Sequence, residues 1–205
     1  NTVSFNLVTG GGSANYPVSA SSFNRDALNK YFKLVNPPLF VAQPAFSIVA
    51  YVYLDRIDVY SPKTIMIENY SNGTATMLFA VDDASLELGI RFMGGTYTAF
   101  NATEPCVLGW NKLAATFKFG SNMEAVLYVN GVSETIPQAG TSATFTDQYN
   151  GFDTSVGQWK SGMFDTSTWP MDGDIAFVRG SYTNVLSPTE IDALLSDPAK
   201  EVSAL

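Results

Sequence analysis

With 205 residues, 46% of them apolar, 13% aromatic and only 15% charged, the chain can fill one sizeable core and is too apolar to be disordered. Its formal net charge of -8, from 19 acidic and 11 basic residues, repels phosphate backbones and anionic lipid, so nucleic acid is not an expected partner. There is no histidine, which excludes Ser-His-Asp, Cys-His and His-metal chemistry.

In chain order, residues 9–22 are linker-like in composition, so the stretch 1–22 is expected to be an N-terminal arm or an outer strand, with residues 23–205 as one domain. Asn1 is not followed by a basic and then apolar leader, so any export signal is expected to have been removed, or the chain to be a fragment. No apolar run approaches the roughly 18 residues that cross a bilayer, and membrane insertion is not expected.

From residue 46 the pattern is strand, turn, strand. Phe46, Ile48, Ala50, Val52 and Leu54 alternate with Val49, Tyr51 and Tyr53, which describes a central strand with both faces covered. Strands are predicted at 64–68, 76–81 and 85–92, the last with Leu86, Leu88, Ile90 and Phe92 inward and Glu87 and Arg91 toward water. A hairpin follows, 112–119 and 124–129, closed by Asn130-Gly131, a pair that tolerates positive φ in a tight turn. The strand 174–179 precedes one short helix opened by Ser187-Pro188-Thr189-Glu190. There Ser187 caps, Pro188 takes the first helical position, and Glu190 completes a capping box ahead of Ile191, Leu194 and Leu195. Many short strands with one late helix predict an all-β antiparallel sandwich.

Specific stretches resemble the laminin G-like jelly roll of the concanavalin A-like lectin and glucanase group. They are Asn29 to Leu34, Phe46 to Val52, Trp110-Asn111-Lys112-Leu113-Ala114-Ala115-Thr116-Phe117 with Leu127-Tyr128-Val129-Asn130-Gly131, Gly173 to Arg179, and Leu186 to Ile191. The resemblance spans about residues 27 to 196 and implies a jelly-roll β-sandwich with one short C-terminal helix. The usual Asp-Asp-Val-Arg-Ile-Tyr of the closing strand is replaced here by Ala176-Phe177-Val178-Arg179-Gly180-Ser181. This fold hosts lectins, adhesion modules, enzymes and virion surface proteins, so function has to come from sites.

For catalysis, the Glu-x-Asp-x-x-Glu strand of laminarinase-like relatives does not occur. Cys106 has no activating partner nearby and is expected to be a small buried residue. The resemblance also implies a calcium ion at the sandwich rim, for which Asp172, Asp174 and Asp153 are the candidates, with simple Asp-Gly turn chemistry as the alternative. The segment between Gly157 and Gly173 is richer in aromatic and polar groups than a connection needs. Trp159, Phe164, Asp165 and Trp169 there could stack on and hydrogen-bond a sugar ring, or Trp159 and Phe164 could fold back over the core. Tyr51 and Tyr53 could line a groove or simply pack. Sequons at Asn69, Asn72 and Asn101 are close to chance expectation.

The expectation is a non-catalytic, extracellular or surface-exposed binding module, carbohydrate-binding or adhesive, whose partner is a glycan or another surface protein. The alternative is a structural virion or surface-assembly protein, and a polysaccharide-cleaving enzyme comes third.

Overall fold

The computed structural model describes residues 5–6, 21–23, 32–34, 45–57, 62–69, 75–91, 97–119, 122–139, 153–159, 168–182 and 185–196. Three short strands come first, β1 (Phe5–Asn6), β2 (Ser21–Phe23) and β3 (Phe32–Leu34). The alternation at 46–54 becomes β4 (Ala45–Leu54), followed by β5 (Lys63–Asn69), β6 (Ala75–Asp82), β7 (Ser85–Arg91) and β8 (Tyr97–Pro105). Next are β9 (Gly109–Lys118), β10 (Asn122–Val129) and β11 (Val132–Ala139). Then come β12 (Asp153–Val156), β13 (Gln158–Trp159), β14 (Thr168–Pro170), β15 (Gly173–Tyr182) and the helix α1 (Pro188–Ser196).

Among the described residues the strands form two antiparallel sheets. One runs β1-β15-β4-β9-β10-β11, with β2 also on β15, and the other runs β3-β12-β5-β6-β7-β8; β13 and β14 make a separate hairpin. The core lies between them, because period two turns Phe46, Ile48, Val52, Leu54, Leu113 and Phe117 of the first sheet toward Met77, Phe79, Leu86, Leu88, Ile90 and Phe100 of the second. Complete burial of such a side chain contributes about 1.5–3 kcal/mol. The chain is therefore an all-β antiparallel sandwich with one short C-terminal helix, as its pattern predicts.

Turn chemistry fixes the register. Asp83 and Ala84 (φ 46° and 65°) join β6 to β7, and Asn130 and Gly131 (φ 52° and 92°) join β10 to β11, both as two-residue loops with positive φ throughout. The helix starts as its capping box predicts: the Glu190 amide donates to Ser187 Oγ at 3.4 Å, and the Ser187 amide donates to Glu190 Oε2 at 2.6 Å. Ile191, Leu194 and Leu195 then bury against Val49, Ala114, Tyr128 and Phe177 on the outer face of the first sheet. The buried Arg179 guanidinium anchors the far end, lying 4.6 Å over the Phe177 ring and donating to the Leu194 carbonyl at 3.3 Å.

Two features depart from the sequence reading. Glu87 does not face water; it is 8% exposed and accepts a hydrogen bond from the Tyr97 hydroxyl. Tyr97 itself lies across Gly89, where any Cβ would collide with its ring. The strands β8 and β11 to β14 were not predicted, and of these β8 and β11 are sheet edges. An edge strand keeps one flank open, so it tolerates the Asn, Glu and Pro residues that disguise it, as Pro137 does in β11. Phe92 and Gly120-Ser121 lie outside the described residues.

Candidate functional site

The outer face of the seven-stranded sheet is covered by α1 over only part of its area. Beyond the helix, cross-strand register sets two rows side by side: Asp174 opposite Tyr53 and Tyr53 opposite Trp110, then Phe177 opposite Tyr51 and Tyr51 opposite Lys112. Because β4 and β9 alternate strictly, the apolar residues that fill the core force Tyr51, Tyr53, Trp110 and Lys112 onto this other face. Tyr51 and Trp110 stack with centroids 4.6 Å apart and planes 16° from parallel, while Tyr53 meets Trp110 edge-on at 5.4 Å. All three rings are half-buried, and Lys112 is exposed. Partial burial pushes the Tyr51 hydroxyl above its ordinary pKa.

One end of the sandwich borders these rows. The Asn111 side chain, fully buried, accepts from the Val107 amide at 2.9 Å and donates to the carbonyls of Val107 and Gly109 at 2.7 and 2.9 Å. Its oxygen also accepts from the Asn130 side-chain amide at 3.1 Å, and Asn130 Oδ1 in turn accepts from the Lys112 amide at 2.9 Å. Asn111 thus locks the turn leading into Trp110 to the turn leading out of β10. Gly109 (φ 93°) lies beside the Tyr53 ring.

The predicted candidates distribute as follows. Tyr51 and Tyr53 stand together on this face, beside Trp110. Asp174 is half-buried and directly opposite Tyr53. Asp172 sits at the adjoining end, where its carboxylate meets Arg56 Nε at 3.4 Å and its carbonyl accepts from the Asp55 amide at 3.2 Å. Gly173 between them (φ 137°) packs so tightly on the Tyr53 carbonyl that no side chain fits. Asp153 is on β12 of the other sheet, opposite Asn69. It lies three residues, about 10 Å of strand, from Val156, the residue before Gly157, which is the part of this segment hydrogen-bonded to Met171. Trp159 and Trp169 are on the β13–β14 hairpin, whose register shifts by one residue between Gln158 and Trp159. That hairpin springs from the same end of the sandwich, since the Met171 amide donates to the Gly157 carbonyl at 2.8 Å. Phe164 and Asp165 lie outside the described residues.

Among the described residues, no three Asp, Glu or Cys side chains converge where a cation could sit. Asp172 is engaged by Arg56, and Asp153 lies on the opposite sheet. Cys106 is buried and its thiol is pushed up to about 12 by burial, as a structural cysteine requires. Trp110, Lys112 and Asn111 were read only as part of a strand motif. The signal that identifies the first two was present, because Leu113, Ala115 and Phe117 as core residues place Trp110 and Lys112 on the outside.

A family model described as the concanavalin A-like lectin/glucanases superfamily matches residues 26–192. The chain belongs to this superfamily. Solved structures share the architecture. The CBM40 domain of the Ruminococcus gnavus IT-sialidase, solved bound to alpha2,3 sialyllactose, aligns with TM-score 0.62 at 17% identity over 86% of this chain and 95% of that one. A heptameric SAP-like pentraxin from Limulus polyphemus aligns with TM-score 0.50 at 15% identity over 75% of this chain and 71% of that one. The binding domain of Botulinum neurotoxin DC, in complex with rat synaptotagmin II, aligns with TM-score 0.55 at 12% identity, over 96% of this chain and 46% of that one. At these identities the likeness to the solved structures is one of fold. No curated protein sequence matches the chain. No helix among the described residues is long and apolar enough to cross a membrane.

Proposed function

We propose that the protein is a non-catalytic, surface-exposed carbohydrate-binding module that holds a sugar on the face formed by Tyr51, Tyr53 and Trp110. The observation that carries this reading is the packed trio of half-buried rings flanked by polar groups of every type: Lys112 as donor, Asp174 as acceptor and two phenols. A sugar ring has an apolar C–H face that stacks on an aromatic ring and a rim of hydroxyls that needs directional partners. Because Tyr51 fixes Trp110, little side-chain entropy remains to be lost on binding.

The superfamily and the CBM40 neighbour, which was solved bound to sialyllactose, support a glycan as the ligand class. The β13–β14 hairpin with Trp159 and Trp169 rises from the same end and extends the reading to an adjoining loop. The absence of histidine and of the laminarinase carboxylate pattern supports binding over turnover. A glycan array probed with the full chain, with and without added calcium, tests the proposal. Saturable recognition of a defined glycan that Tyr53→Ala weakens about tenfold is expected; a blank array under both conditions, with the protein folded, overturns it.

A further inference from the structure

Four large hydrophobic side chains are exposed among the described residues, and three of them gather at one end of the sandwich: Val107 (50%), Leu108 (65%) and Val132 (49%). They come from two different turns. These are held together by Asn111, which binds Val107 and Gly109 on one side and Asn130 on the other. A third turn joins them, since the Cys106 amide donates to the Ala84 carbonyl at 2.7 Å. The apolar tips therefore stand on a rigid base.

The turns themselves are acidic, although the exposed Lys112 adjoins Asn130 and Lys63 acts on Asp82. The three segments 82–85, 103–110 and 129–134 contain Asp82, Asp83, Glu104 and Glu134 and no lysine or arginine. Asp83 and Glu104 are exposed. Glu134 is held ionised below its ordinary range by the Thr103 amide and hydroxyl, both donating at 2.8 Å. A cluster of exposed aliphatic groups among polar residues marks an interaction site more often than singly scattered side chains do.

We propose that this end of the sandwich docks a partner protein that presents an aliphatic or aromatic side chain flanked by lysine or arginine. Charge decides among the occupants. A second copy set end to end would bring the same carboxylates together on two chains of net charge -8, and an anionic lipid surface would be repelled in the same way. A basic, apolar-tipped segment satisfies both features at once. The surface adjoins the sugar face at Gly109 but is differently oriented: its tips extend the ends of the strands, whereas Tyr51, Tyr53 and Trp110 stand on the face of the sheet.

The test is a phage-displayed random peptide library panned on the full chain, with the enriched peptides synthesised and titrated by fluorescence polarisation. Enrichment of sequences pairing Lys or Arg with a large apolar residue is expected. Their affinity should drop at least tenfold in Leu108→Asp and in the milder Val132→Ser, fall several-fold between 50 and 300 mM salt, and stay unchanged in Tyr53→Ala. The last variant separates this surface from the sugar face, so either proposal can fail alone. No enrichment, enrichment of acidic or uncharged sequences, or binding indifferent to Leu108→Asp and Val132→Ser would overturn the inference. Self-association of the free chain that Leu108→Asp abolishes would also overturn it, by showing that a second copy is the occupant.

Discussion

The indole of Trp110 lies on the ring of Tyr51, with centroids 4.6 Å apart and planes 16° from parallel, although β9 pairs Trp110 with Tyr53 and Tyr51 with Lys112. The indole leans along the sheet to the diagonal neighbour, within reach for long side chains on adjacent strands. Tyr51 and Trp110 pack against the cluster beneath α1, which does not include Tyr53. Removing Tyr53 should therefore affect ligand more than fold. Tyr53→Ala is expected to weaken sugar binding by about tenfold, the equivalent of about 1.4 kcal/mol, with little change in melting temperature; calorimetry and a thermal melt on the same sample check both halves.

Gly173→Ala should be strongly destabilising. The position combines φ 137° with a backbone approach to the Tyr53 carbonyl that leaves no room for Cβ, so β15 would have to separate from β4 at its first pair. A loss of about 3 kcal/mol or more is expected in urea unfolding. A wild-type midpoint would show that the strand starts elsewhere.

Asn111→Ala removes the acceptor of the Val107 amide and the donor to two carbonyls, all at one buried point. Each unsatisfied buried partner costs about 1–3 kcal/mol, so a destabilisation of several kcal/mol is expected. Faster amide exchange should be confined first to Val107 and its neighbours, which hydrogen exchange read by mass spectrometry resolves.

Glu87 supplies a pH signature. Burial raises its pKa above the ordinary carboxylate value, the hydrogen bond from Tyr97 partly offsets this, and the nearby Asp82 adds to it. The folded chain thus holds the Glu87 proton more tightly than the unfolded chain does. Its contribution is favourable below the ordinary Glu range and is lost as pH rises through the raised folded value. Glu87→Gln keeps an acceptor for Tyr97 without the charge. It is expected to melt a few degrees higher than wild type at pH 7, with the gap closing toward pH 4. A gap that persists or widens at low pH would contradict the assignment.

The sandwich was legible because its central strands are simple: β4, β6, β7 and β9 alternate strongly, and the capping box at Ser187 marks α1 unambiguously. Edges carried less information, so Pro137 and the run Asn101 to Pro105 concealed β11 and β8. Glu87 misled because an acidic residue at an outward position normally meets water, and only the fold brings Tyr97 over it. Sequence singles out Tyr51 and Tyr53 as groove candidates and Asp174 as a calcium candidate, and register brings the three side by side, yet Trp110 was absorbed into a strand motif. Pairwise register, which places it on Tyr51, is a property of the folded sheet and not of either strand alone.

The central claim, that the Tyr51, Tyr53 and Trp110 face holds a sugar, is tested most directly by calorimetric titration of one array-selected oligosaccharide into wild type, Trp110→Phe and Trp110→Ala. Saturable one-to-one binding is predicted for wild type, a modest loss for Trp110→Phe, which keeps a ring on Tyr51, and a loss of tenfold or more for Trp110→Ala. Equal affinity in all three folded proteins would place the sugar elsewhere and contradict the claim.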